Sequence, residues 1–215
     1  MKNSAGRRIF KGPRICSQKF MKTYQITDFC HNMVLSHIQK GDFCIDATVG
    51  NGYDTEFLCH AAGPEGFVLG LDLQESAVLH TRKRLEQNCP GYSFLLVQDS
   101  HENLLARVNG SRIPGFPEGA ACIMFNLGYL PGGDHSFSTK KESTLKGLSD
   151  SLLLLKKNGI LSICIYSGGD TGFEEKDAVL SWLKELDSRK YLVLLTQYYN
   201  RPNNPPIPAF VIRMT

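Results

Sequence analysis

Five polar residues recur along this chain, each closing an apolar run: Asp46, Asp72, Asp99, Asn126 and Ser167. One such residue is ordinary, because every strand must end. A row of them is the pattern of a ligand site built beyond the carboxyl ends of parallel strands. The first belongs to the stretch IDATVGNGYDTEFL, Ile45 to Leu58, where Gly50 and Gly52 flank Asn51 and a second acid, Asp54, follows. Glycines there let backbone N–H groups at a helix start come close to a bound group. Carboxylates accept hydrogen bonds from sugar hydroxyls and favour cations, and an asparagine amide both donates and accepts. The set suits a nucleoside-bearing cofactor held at the rim of a sheet.

Such residues need a scaffold that alternates strands and helices. DFCIDAT reads as a buried strand, followed by the glycine loop and a helix over Tyr53–Ala62. FVLGLDL, SFLLVQD, AACIMFN and GILSICIYS read as four more buried strands. Further helices are expected over Gln74–Gln87, Thr139–Lys157 and Glu174–Leu186, with an opening helix over roughly Gln25–Gln39. YLVLLTQYY and AFVIRM are two last strands with no helix between them, so they should pair antiparallel. Apolar strands joined by crossover helices imply a parallel sheet covered on both faces. The expected fold class is α/β: a Rossmann-like, seven-stranded, mostly parallel sheet with helices on both faces and a C-terminal antiparallel hairpin. Residues 23–215 read as one domain, preceded by a basic, flexible arm over residues 1–22.

Two cofactors compete for the glycine loop: a dinucleotide and S-adenosylmethionine. The dinucleotide fingerprint wants a third glycine at position 55, where this chain has Thr55. Asp46 before the loop and Asp54 after it would repel a pyrophosphate but favour ammonium and sulfonium groups. Asp72, at the end of the second strand, is the carboxylate for ribose hydroxyls in either case. A short-chain reductase would also need Tyr-x-x-x-Lys, and no tyrosine has a lysine four residues on. The residues favour S-adenosylmethionine.

DATVGNGYDTEFL, DLQESAVLHTRKRL, DSHENL, FNLGYLPGGDHSFSTKKEST and YNRPNNPP together carry a resemblance that covers almost all of residues 24–215. The chain resembles the class I S-adenosylmethionine-dependent methyltransferases labelled rRNA methylases, a family associated with methylation of tRNA 5-aminomethyl-2-thiouridine in bacteria. The resemblance implies the class I methyltransferase fold and methyl transfer to the aminomethyl nitrogen of the wobble uridine in the tRNA anticodon loop. It departs from the broader class at Thr48, where the usual motif has glycine. The expected cofactor-binding residues are Asp46, Thr48, Gly50, Asn51, Gly52, Asp54, Asp72, Gln74, Asp99, Ser100 and His101.

Methyl transfer is an in-line displacement at a sulfonium carbon, so the protein must align a neutral amine lone pair and exclude water. NLGY resembles the Asn-Pro-Pro-Tyr motif of amino-group methyltransferases. By that resemblance the Asn126 side chain and the Leu127 carbonyl accept the target N–H groups, and Tyr129 stacks on the base. Gly128 replaces a proline, which leaves the loop less rigid. Asp134 or His135 is placed to take the proton that an alkyl ammonium must lose first, or to hold the cation. Tyr166, Arg201, Asn203 and Asn204 offer stacking and hydrogen bonds to a splayed-out base. Strand alternation places one of Tyr198 and Tyr199 on the sheet. His31 and His37 are six residues apart and share no helix face, which argues against a helical metal pair.

Composition bounds the remainder. The chain has 215 residues with 42% hydrophobic and 21% charged, ordinary for a globular domain. No apolar run is long enough to suggest a membrane span. The seven cysteines form no C-x-x-C pair, so a reducing cytoplasm fits best and no metal is expected. The net charge of +3 hides a split: residues 1–22 hold seven basic residues and no acid, leaving 17 basic against 21 acidic residues elsewhere. That arm suits contact with phosphates, a solvated tail, or an extension before a start at Met21. Methylation of another amine in rRNA, protein or a small molecule stays open, as does a non-catalytic RNA-binding role. Monomer and homodimer are equally compatible with the sequence.

Overall fold

The computed structural model describes residues 25–110, 118–128, 140–166 and 172–215. Seven strands form one sheet: β1 (Phe43–Asp46), β2 (Phe67–Asp72), β3 (Ser93–Gln98), β4 (Ala120–Leu127), β5 (Leu155–Ile165), β6 (Tyr191–Leu195) and β7 (Ile207–Arg213). Their order is β3-β2-β1-β4-β5-β7-β6. The first five pair in parallel, while β7 runs antiparallel to both β5 and β6. The expected fold, hairpin included, is the observed one.

Among the described residues, six α-helices cover the two faces: α1 (Ile26–Leu35), α2 (Tyr53–Ala62), α3 (Glu75–Asn88), α4 (Leu104–Gly110), α5 (Lys141–Leu154) and α6 (Gly172–Glu185). Side chains alternate across a strand, so each strand feeds two cores. Ile45, Leu69, Ile123, Phe125 and Ile163 pack with Leu148 of α5 and Val179 of α6. Cys44, Val68, Cys122 and Met124 pack on the other face with Val34 of α1 and Leu58 of α2. The six described cysteines are free and buried, and Cys16 lies outside the described residues.

Four elements differ from expectation, the first being α4, where the sequence leads to no expected helix. The opening helix stops at Leu35 rather than near Gln39. The fifth helix stops at Leu154, and residues 155–157 extend β5 because Leu155 pairs with Ala120. The register then shifts between Ala120 and Cys122, with Asn158 at φ 61 absorbing the irregularity, so apolar-helical periodicity through LLLLKK misled the helix boundary. Finally, β6 ends at Leu195, short of both tyrosines. Tyr198 is half-buried and Tyr199 wholly exposed, and strand alternation governs neither.

Candidate active site

β1 and β4 lie side by side at the centre of the sheet. From β1 the chain crosses toward β2 and β3, and from β4 toward β5, so a crevice opens beyond their carboxyl ends. Asp46 ends β1 with no exposed surface. Its Oδ2 accepts from the Thr55 hydroxyl at 2.5 Å and its Oδ1 from the Thr48 N–H at 3.2 Å. Burial pushes this carboxyl up from its ordinary value, with the charges of Asp54 and Asp72 adding to the rise against those two hydrogen bonds. Thr55, the residue that breaks the dinucleotide fingerprint, is therefore the internal partner of a buried acid. Thr48 has an equally local reason. Its Oγ1 accepts the Asn126 N–H at 2.7 Å and ties the β1 loop to the end of β4, which a glycine could not do.

Asp72 closes the other side of the loop. Its Oδ2 accepts the Gly50 N–H at 2.8 Å and its Oδ1 the Gln74 N–H at 2.9 Å. Gly52 has φ +79, and a β carbon there would lie 2.5 Å from the Thr81 hydroxyl of α3. Its missing side chain is thus taken up by α3. Asn51 is exposed at the loop tip. The N–H groups of Thr48, Gly50 and Gln74 are all satisfied by carboxylates. A pyrophosphate would meet acids here in place of donors, whereas a cationic group meets a favourable field.

The loop after β3 supplies a third wall. Burial raises the Asp99 carboxyl, but Asn103, Arg107 and the Ser100 N–H outweigh it and hold the group below its usual range. Ser100 is buried, and its hydroxyl accepts the Glu102 N–H at 3.3 Å. His101 is 4% exposed, and burial lowers its imidazole to about 4, so it stays neutral near pH 7. It sits edge-on to Phe125 with centroids 5.6 Å apart. Its Nε2 is buried with no hydrogen-bond partner among the described residues, the kind of orphan a bound molecule satisfies.

Asn126, near the end of β4, is only partly buried. Its Nδ2 donates to Asp54 Oδ2 at 2.6 Å. The other oxygen of Asp54 meets His31 Nε2, also at 2.6 Å. His31 stacks flat on Phe57, with centroids 3.9 Å apart and planes 4° from parallel. Helical spacing gives His31 no partner, because His37 lies six residues on and off its face. His37 instead bonds the Asn158 carbonyl at 2.9 Å. The one available signal was Asp54, an acid in the first turn of a helix. Its partner lies 23 residues upstream on α1, beyond the reach of any spacing rule.

Asp46, Thr48, Asp54 and Asn126 thus form one connected group, with Gly50, Asp72 and Gln74 beside it. Leu127 is buried, and Gly128 follows at φ +144, far from the value near −65° that proline requires. The chain leaves β4 on a path closed to an Asn-Pro-Pro-Tyr sequence. A β carbon on Gly128 would lie 3.5 Å from that of Tyr166, which stands 39% exposed after β5. Arg201, Asn203 and Asn204 lie in the turn between β6 and β7. The Arg201 guanidinium is 5.9 Å from the Tyr198 ring centroid, above an open basin that also includes Ile26 and Pro206. Asn203 and Asn204 take φ values of 65 and 46, left-handed conformations that asparagine tolerates and that turn the chain. Tyr129, Asp134, His135 and Ser167 lie outside the described residues, as does the arm. Among the described residues no group of three His, Cys, Asp or Glu side chains is arranged to hold a metal. None of their helices is long and apolar enough to cross a membrane.

The family model described as "Putative rRNA methylase" matches residues 68–212, from β2 to the end of β7. The chain belongs to this family. A solved member-like structure, a "putative rRNA-methylase" from Clostridium thermocellum, is 38% identical, with a TM-score of 0.82 over 90% of this chain and 100% of that one. A "putative methyltransferase" from Streptococcus mutans, solved in complex with SAH, is 34% identical, with a TM-score of 0.77 over 89% of this chain and 99% of that one. A chloroplastic tRNA (mnm(5)s(2)U34)-methyltransferase from Arabidopsis thaliana is 34% identical over 184 residues. That match takes in 83% of this chain, which spans 66% of the plant protein's length. Within this methylase family the fold is that of class I methyltransferases.

Proposed function

We propose that this methylase uses S-adenosylmethionine to methylate the aminomethyl nitrogen of 5-aminomethyl-2-thiouridine at the tRNA wobble position. The observation that carries the reading is the connected acid and amide group at the switch point: Asp46, Asp54 and Asp72 around the glycine loop, with the Asn126 amide beside them. This field suits two cations, the sulfonium of the cofactor and the ammonium form of the substrate. The plant relative's name and the SAH bound to the Streptococcus mutans protein support the same reading.

When bound, S-adenosylmethionine supplies an electrophilic methyl group on sulfur. The glycine loop with Asp72 and Gln74 would hold its ribose, and the Asp99–His101 turn its nucleoside side, where the neutral His101 carries an unpaired Nε2. Asn126 has its amide nitrogen turned to Asp54, so the carbonyl oxygen is the end that accepts from an amine. Together with the Leu127 carbonyl it would aim the nitrogen lone pair. Tyr129 would stack on the base, and Asp134 or His135 would take the ammonium proton before transfer. Tyr166 would flank the base. Arg201, Asn203, Asn204 and the basic arm would hold the anticodon loop by phosphate and base contacts, in the cytoplasm.

Asn126→Ala tests the reading. Loss of one oriented hydrogen-bonding group should lower turnover by roughly two to three powers of ten. The measurement is nucleoside mass spectrometry of tRNA carrying 5-aminomethyl-2-thiouridine, incubated with labelled cofactor. Calorimetric affinity for the cofactor should change little. Turnover at the parent rate would overturn the amine-positioning role. The family's own name favours one alternative, an amine in ribosomal RNA. Label appearing in ribosomal RNA and not in tRNA would select it.

A further inference from the structure

His31 enters this site from α1, outside the glycine loop and every strand end. Three contacts run in line: the His31 ring on Phe57, His31 Nε2 on Asp54 Oδ1, and Asp54 Oδ2 on Asn126 Nδ2. Both oxygens of Asp54 are therefore engaged, each at 2.6 Å, and the side chain is buried. A carboxylate accepts only, so the amide end facing it must be the NH2 group. The opposite end of Asn126 is then its carbonyl oxygen. An unrestrained asparagine amide can rotate by half a turn at little cost. It would then present NH2 to the incoming amine, donating to the lone pair that must attack.

We propose that Asp54 and His31 are positioning residues for methyl transfer. Asp54 locks the Asn126 amide with its carbonyl toward the substrate, and His31, clamped by Phe57, locks Asp54. The proposal rests on the amine-aligning role of Asn126 and extends it to a pair of residues that do not touch the reacting atoms. A purely structural role would make α1–α2 packing the purpose of His31. The locking role makes its hydrogen bond the purpose, and two substitutions separate them. His31→Phe keeps a ring to stack on Phe57 but has no donor. His31→Gln gives up the ring and keeps an N–H near the Nε2 position.

The experiment measures turnover, KM for tRNA carrying 5-aminomethyl-2-thiouridine, and calorimetric affinity for S-adenosylmethionine. It also follows the Asn126 side-chain NH2 resonances by 15N NMR. Asp54→Ala and His31→Phe should each lower kcat by about ten- to a hundredfold, part of the range for an oriented hydrogen-bonding group. In His31→Phe, KM and cofactor affinity should stay within about threefold, a change of under 0.7 kcal/mol at 1.4 kcal/mol per tenfold, whereas Asp54→Ala also removes a charge from the field around the cofactor and is therefore read on kcat at saturating cofactor and tRNA. His31→Gln should recover most of the parent kcat. The Asn126 NH2 signals should shift or broaden in Asp54→Ala and His31→Phe, and return in His31→Gln. In an Asn126→Ala background, Asp54→Ala should cost nothing further, because residues acting as one unit are not additive.

The outcomes are separable. If Asn126→Ala itself reacts at the parent rate, the underlying role of Asn126 is wrong. If Asn126→Ala is impaired while Asp54→Ala and His31→Phe are not, only the locking pair is wrong. Retained activity in His31→Phe with loss in His31→Gln would assign His31 to packing and overturn the proposal. Should Asp54→Ala fail to fold, the two His31 variants and the NMR signals still decide it.

Discussion

At the residue scale the site is a set of carboxylates with unequal surroundings. Asp46 is wholly buried, and burial first, then the neighbouring charge of Asp54, pushes its carboxyl up. Asp99 is pulled the other way by Asn103, Arg107 and Ser100, which outweigh its burial. A raised folded-state value has a definite sign for stability. Below the unfolded value of about 4 both states hold the proton, and the contribution is complete. As pH rises, the unfolded chain releases its proton first, and stability falls until the folded-state group also ionises. Asp46→Asn should therefore gain on the parent as pH rises from about 4 to about 7, the value to which burial pushes the folded-state carboxyl. Urea unfolding at several pH values reads this as a widening difference in unfolding free energy. A difference that stays flat over that range would mean that burial does not hold Asp46 up. Asp54→Ala should remove part of the slope, since its charge is the second cause.

At the element scale, the loop after β3 is held by how closely α5 approaches it. A β carbon on Gly147 would lie 2.9 Å from His101 Cδ2 and 2.9 Å from the His101 backbone oxygen. A side chain can turn aside, but a backbone oxygen cannot, so α5 itself would have to move. Alanine is favoured over glycine in a helix by about 1 kcal/mol, so helix propensity alone predicts a more stable variant. Overpacking costs about 1–3 kcal/mol, and a clash with fixed backbone belongs at the upper end. Gly147→Ala should lower unfolding free energy by about 1–2 kcal/mol net. It should also weaken cofactor binding, because the displaced turn carries Ser100 and His101. A variant as stable as the parent by chemical denaturation would show the contact to be slack.

At the scale of the whole molecule, charge is divided rather than uniform. Residues 1–22 hold seven basic residues and no acid, while the remainder carries 17 basic against 21 acidic ones. A catalytic domain with an acidic crevice does not by itself attract a polyanion. Under the proposed tRNA activity, attraction of RNA would fall to the arm and to scattered cations such as Arg201, by release of counterions from phosphates. Deleting residues 1–22 should leave turnover at saturating tRNA unchanged and flatten the dependence of tRNA affinity on salt. Fluorescence anisotropy over a salt series measures the second effect. A truncated protein that binds cofactor yet methylates tRNA at no concentration would assign the arm to the chemistry.

The alternation of apolar runs with helical stretches determined the parallel sheet, and the missing helix before AFVIRM determined the hairpin. Asp46, Asp72, Asp99 and Asn126 were legible because a parallel sheet collects strand ends at one edge, whatever the side chains between them. Boundaries fared worse. Leu154 and Leu155 look alike in sequence, and only the pairing of Leu155 with Ala120 ends α5 there. The reasons for Thr48 and Thr55 were also hidden, because each bonds a residue on another element: Asn126 from 78 residues away and Asp46 from nine. His31 shows the limit most clearly. Its type and local spacing suggested nothing, since an α-helix relates only residues three or four apart. Packing α1 against α2 brings it to Asp54, and through Asp54 to Asn126. Local patterns determine which elements form and where strand ends gather. Which side chains meet across those elements depends on packing, a long-range property that only the tertiary structure decides.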